Sequence, residues 1–132
     1  MRVEALHHLN NKSSKEPHGA ILSAILSFLE GLVADVDIFV RERAFSRFPH
    51  ETQTLHKVVG IADLAAWQKA GAVFQELAPT TVKKLLTGNG KATKAEVASA
   101  LTHYVGEQHY ATDDESDAVA VGVAWLLQEK LL

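Results

Sequence analysis

The chain is 132 residues long, 47% apolar and 22% charged, the make-up of one globular domain with a core of its own. Cysteine is absent, which excludes disulfides and thiolate chemistry, and no apolar run reaches the roughly 18 residues a membrane helix needs. The net charge of −3 is unevenly spread: Arg41 to Lys94 holds nine basic against four acidic side chains, a net +5, while Ala95 to Leu132 holds one against seven, a net −6. A basic middle and an acidic end can bring phosphate-binding and cation-binding surfaces onto one domain, or can simply be two solvated faces. His7, His8, Asn10 and Asn11 stand where a secretory leader would carry its apolar segment, so a cytoplasmic location without a membrane partner is expected.

Residues 9–18 are polar and turn-rich. A first helix is predicted from about Pro17 to Val33, where Ile21, Leu22, Ile25, Leu26, Leu29, Leu32 and Val33 form one apolar stripe. Residues 36–41 are β-branched and aromatic, as in a buried strand. Phe45 to His50 reads as a loop punctuated by Pro49. A second helix then runs from about Glu51 to Ala70, closed by Gly71. A short strand is predicted over Val73–Leu77, and Pro79 opens a short helix that ends near Thr87, before Gly88-Asn89-Gly90. Thr93–Glu96 and Thr112–Glu115 both have capping-box spacing and open two further helices. The last of these is apolar nearly all round, so it should be buried on several sides. Trp67 and Trp125 are expected in the core. Arg2 to His8 is a weak candidate for one more strand. The order of helices and strands predicts an α/β layer architecture whose two clear strands are few for a parallel sheet.

Glu42 closes the strand over 36–41, where α/β folds place functional groups, outside the carboxyl ends of strands. A carboxylate there is paired, hydrated or metal-bound, since bare burial is costly. A salt bridge to Arg41, Arg43 or another base is the plain alternative. Asp114 and Asp117 lie three apart and share a helix face. With a third oxygen donor from a strand end they suit Mg²⁺ or Mn²⁺. Acids in a first helical turn also simply favour the helix dipole. Lys83, Lys84, Lys91 and Lys94 surround the Gly-Asn-Gly turn and can hold a phosphodiester or stand solvated. No zinc-type histidine pair, nucleophile elbow, Walker loop or dinucleotide-binding glycine motif is present.

Read in order, the blocks Phe39-Val40-Arg41-Glu42-Arg43-Ala44-Phe45, Pro79-Thr80-Thr81-Val82-Lys83-Lys84, Gly88-Asn89-Gly90-Lys91-Ala92-Thr93-Lys94 and Asp114-Glu115-Ser116-Asp117-Ala118-Val119-Ala120 resemble those of RuvC-type Holliday junction resolvases over residues 17–130. The resemblance implies a ribonuclease H-like, three-layer α/β fold with a mostly parallel sheet, in one domain over residues 1–132. It implies a homodimeric, structure-selective DNA endonuclease that cuts four-way junctions with Mg²⁺ or Mn²⁺ held by four carboxylates. Glu42, Asp114 and Asp117 match three of these. Lys83 and Lys94 match basic residues near the scissile phosphate. Phe45 matches an aromatic that stacks on bases at the crossover, beside Arg43 and Arg47, and Lys84 and Lys91 extend the DNA-binding set. The family's opening strand, in a pattern like I-x-G-x-D-x-G, has no counterpart in Met1–Leu9. On the resemblance, the first two strands and one metal carboxylate are missing, Arg2–His8 is the third strand, and nuclease activity is expected to be impaired. A late-assigned start is the expected reason, with a truncated chain or a diverged protein as the alternatives. The alternatives are a non-catalytic DNA-binding module or an oligomeric interaction protein of the same fold.

Overall fold

The computed structural model describes residues 1–9, 15–32, 36–43 and 49–132. Their elements are α1 (His18–Leu32), β1 (Val40–Glu42), α2 (Pro49–Ala70), β2 (Gln75–Leu77), α3 (Pro79–Thr87), α4 (Lys94–Val105) and α5 (Asp113–Gln128). Pro49 is the first residue of α2 rather than loop punctuation. Proline suits that place, because the amide hydrogen it lacks has no partner in a first turn. The chain divides into two compact units, Met1–His8 with Val40–Arg43 and Glu76–Leu132, and Leu9–Phe39 with Ala44–Gln75.

The second of these units is built on α1 against α2. Lys69 Nζ lies 3.5 Å from Glu30 Oε2, and Lys57 Nζ lies 3.0 Å from His18 Nδ1. A small apolar cluster joins Phe39 to Ala66, with Ala72 and Phe74 packed on it, and the two phenylalanine rings stand 5.6 Å apart in a tilted arrangement. Gly71 ends α2 with a φ of 60°, in the left-handed region where a side chain is strained. Trp67 is 63% exposed, not in the core, and Leu64, one turn earlier, is 41% exposed. The expected buried strand over 36–41 is also shorter: Val36 and Ile38 are exposed, and the ladder begins at Val40.

In the first unit, α5 packs on β1, on α3 and on α4. Its Ala120, Val121, Val123 and Ala124 join Leu77, Val82, Leu86, Leu101 and Val105 in the main core. Small side chains along α5 let its neighbours approach closely, and Val123 is fully enclosed. β1 and β2 pair in a two-stranded parallel sheet, with Arg43 N–H donating to the Leu77 carbonyl at 2.8 Å and Gln75 N–H to that of Phe39 at 2.7 Å. Residues 1–9 form no strand. Instead Val3 packs against the main core from a segment without regular secondary structure.

Candidate active site

α3 begins at Pro79 as predicted and ends at Gly88, whose φ of 82° and N–H to the Lys84 carbonyl make a left-handed cap. The next turn is held by its own side chains. Thr87 Oγ1 donates to the Lys83 carbonyl at 2.8 Å and accepts from Asn89 N–H at 3.1 Å, and Lys91 N–H donates to Asn89 Oδ1 at 2.9 Å. Buried Ala92 closes it. This turn fixes α3 relative to α4, and so Lys83 relative to Lys94. At the start of α4, Thr93 Oγ1 accepts from Glu96 N–H at 3.2 Å. The box is not reciprocal here, because the Glu96 carboxylate accepts from the Thr93 hydroxyl instead.

The start of α5 carries the full reciprocal box. Glu115 N–H donates to Thr112 Oγ1, while Glu115 Oε2 accepts from Thr112 N–H at 3.4 Å and from Ala111 N–H at 2.6 Å. Its other oxygen lies 3.3 Å from His8 Nδ1. Glu115 is buried. Burial alone raises its carboxyl, but the hydrogen bonds from Ala111, His8 and Thr112 outweigh it and hold the group below the usual carboxylate range. The result is a fixed first turn for the helix that carries the acids.

Because α5 lies on β1, the end of that strand and the first turns of that helix open into one cavity of about 760 Å³. Glu42 enters from β1; Asp113, Ser116, Asp117 and Ala120 enter from one face of α5. Lys83 comes from α3 and Lys94 from α4. Val82, Val97, Ala98 and Leu101 supply an apolar wall, and Gln108 and Tyr110 come from the connection between α4 and α5. Burial pushes the Glu42 carboxyl above the usual range, the Asp117 charge raises it further and Lys83 opposes the rise. Asp117 is raised likewise, first by burial, with Lys94 lowering it and Asp114 and Asp113 raising it. Burial also pushes the Tyr110 phenol up, so it stays neutral.

The structure therefore brings Glu42, Asp117, Lys83 and Lys94 together. Asp114 does not line the cavity, although its charge acts on Asp117. Asp113 does line it, one turn before Asp117, and lies 3.3 Å from Lys94 Nζ. The spacing 113, 117, 120 was the available signal for that face. Among the described residues no three metal-ligating side chains gather closely enough to hold an ion. Arg41, offered as the plain partner of Glu42, pairs with Glu76 instead, Nε to Oε2 at 3.0 Å. Arg43 is exposed beyond the strand end, and Lys84 and Lys91 are exposed away from the cavity. Phe45 and Arg47 lie outside the described residues. No helix among the described residues is long and apolar enough to cross a membrane.

The fold that places these side chains at the end of β1 is of the ribonuclease H-like class. A Thermus thermophilus RuvC structure superposes with a TM-score of 0.80 at 20% identity, covering 96% of this chain and 86% of that one. T. thermophilus RuvC in complex with Holliday junction substrate superposes at 0.82 and 22% identity, covering 91% and 74%. The family model for crossover junction endodeoxyribonuclease RuvC matches residues 9–125, and the chain belongs to the RuvC family. Among curated relatives, the RuvC of Sulfurovum sp. is 35% identical over 75% of this chain and 59% of its own length. That of Erythrobacter litoralis is 31% identical over 92% of this chain and 66% of its own. The chain thus spans about three-fifths to two-thirds of the length of these relatives.

Proposed function

We propose that the chain is a structure-selective DNA endonuclease of the crossover-junction type, acting on branched DNA in the cytoplasm as one domain over residues 1–132. The observation that carries the reading is the sharing of one cavity by Glu42 and Asp117, from two different elements, with Lys83 and Lys94 beside them. The Glu42 carboxyl is raised by burial and then by the Asp117 charge, and the Asp117 carboxyl by burial and by its neighbours Asp114 and Asp113, a cost that a cation beside them relieves. Magnesium is commonly bound by one or two carboxylates together with substrate phosphates and water, so this donor set fits Mg²⁺ or Mn²⁺. Asp114, one turn from Asp117, is a further donor on the same helix. When bound, such an ion stabilises the charge that builds on a phosphodiester during hydrolysis. Lys83 and Lys94 hold the phosphate oxygens and neutralise the same charge, while Arg43, Lys84 and Lys91, with Phe45 and Arg47, extend the DNA-binding surface. Exposed Leu64 and Trp67 on α2 support a homodimer, since a pair of large apolar side chains on one helix face favours cover by a second copy.

The test compares a four-way junction with linear duplex of the same arms. The junction is expected to bind more tightly, with an affinity that falls steeply with salt. Cutting is expected to depend on Mg²⁺ or Mn²⁺, and Asp117→Asn or Glu42→Gln should abolish it while sparing binding. Equal affinity for both DNAs, or undiminished cutting by Asp117→Asn, overturns the reading. A second reading, a DNA-binding module that does not cut, is favoured by the lack of a gathered three-ligand cluster among the described residues. Junction-selective binding without cutting in either ion selects it, and no binding to branched DNA leaves the interaction protein.

A further inference from the structure

We propose that His8 is a positioning residue for the acids of α5, which it holds in place through Glu115. This role rests on the cation-binding reading of the cavity and extends it to a side chain outside the cavity lining. His8 and Glu115 are 107 residues apart in the chain, and the imidazole Nδ1 lies 3.3 Å from Glu115 Oε1. Val3, in the same segment, packs against the main core, so His8 reaches Glu115 from a stretch anchored in the unit that carries α5.

The two oxygens of the Glu115 carboxylate have different partners. Oε2 accepts from the Ala111 and Thr112 amides, while among the described residues Oε1 has His8 alone. The side chain is 5% exposed, so water cannot readily replace a lost partner. The carboxylate is held ionised and can only accept, so Nδ1 is a ring nitrogen that carries hydrogen. Glu115 is the third residue of α5, and Asp113, Asp114 and Asp117 all lie within two positions of it. Like charges so close repel one another and favour fraying of a helix end whose first amides lack helical partners. The Thr112–Glu115 box opposes that fraying, and the His8 contact ties the box to a segment packed on the core. The acids therefore keep one spacing before an ion arrives. A donor set fixed in advance binds an ion more tightly than one the ion must order.

The experiment measures Mn²⁺ binding by the full chain without DNA, from the loss of the free-ion signal in electron paramagnetic resonance. The amide nitrogen of asparagine is as many bonds from the backbone as histidine Nδ1, and that of glutamine is one bond further out. His8→Asn should therefore keep the wild-type affinity to within about twofold, because it keeps the donor in place. His8→Leu and His8→Gln should bind Mn²⁺ about tenfold more weakly, the low end for partners that orient metal ligands from behind. His8 is exposed, so none of these changes opens the core, and thermal melts identify the folded variants. Equal affinity in the wild type and all three variants overturns the role of His8 and leaves the cation reading standing. Equal weakening in all three overturns it as well, because the loss then does not follow the hydrogen bond. A wild type that takes up no Mn²⁺ overturns the cation reading and the role of His8 together.

Discussion

Lys94 Nζ and Asp113 Oδ2 stand 3.3 Å apart, joining the first turns of α4 and α5 beside the cavity. Both side chains are more than four-fifths exposed, so the pair adds less than about 1 kcal/mol to stability. Its weight lies in the site, since Asp113 occupies the cation that a phosphate needs. Asp113→Asn should leave the melting temperature nearly unchanged and tighten junction binding by up to roughly fivefold at low salt, with the gain fading as salt rises. Titrations at two ionic strengths check this; weaker binding would show that Asp113 holds Lys94 in its working position.

Glu42 has a raised carboxyl, caused first by burial and then by Asp117. A carboxyl raised in the folded state favours folding at acid pH and loses that advantage as pH rises through the folded value. Glu42→Gln should therefore be more stable than the wild type near neutral pH, by roughly 0–1 kcal/mol after solvent screening. The two should converge once both states are protonated, below about pH 4.3. Thermal melts from pH 3 to 8 read the difference. A gap of the same size at every pH would remove charge burial as its cause.

Glu115 has the opposite sign. Its carboxyl is held below the usual range by the Ala111, His8 and Thr112 hydrogen bonds, so its stabilisation is present above about pH 4.3 and is lost as pH falls through the folded value. Glu115→Gln should be less stable than the wild type at neutral pH, and the deficit should close in acid. Loss of the deficit toward alkaline pH instead would contradict the assignment.

Thr112→Ala removes the other half of the same box and should cost about 1 kcal/mol, read by chemical denaturation. Because the two side chains act on one helix start, combining Thr112→Ala with Glu115→Gln should cost less than the sum of the single changes. Simple additivity would mean that the two caps act independently.

Leu86 is 6% exposed within the main core, and Leu86→Ala should cost about 2–5 kcal/mol. Gly88→Ala, with open space around its added carbon but a φ of 82°, should cost only about 1–2 kcal/mol. Paired urea melts order the two. An equal or larger loss for Gly88→Ala would show that the left-handed cap matters more to this unit than the packing of α3.

Local order was legible because it depends on near neighbours in the chain. Pro79 and Gly88 bound α3, Thr112 and Glu115 form their box, and Gly71 ends α2, each through bonds and backbone angles within a few residues. The identity of the acids, Glu42 and the cluster at 113–117, was likewise plain from sequence. Which of them meet was not. Helical spacing says that Asp117 shares a face with Asp113 or with Asp114, and only the rotation of α5 about its axis chooses between them. That rotation is set by Ala120, Val121, Val123 and Ala124 packing into the core, contacts made with residues from β2, α3 and α4. The same holds for Arg41, whose partner Glu76 lies on the neighbouring strand, and for Trp67, whose face of α2 is left open. Periodicity constrains which side chains point the same way; long-range packing alone decides what they point at.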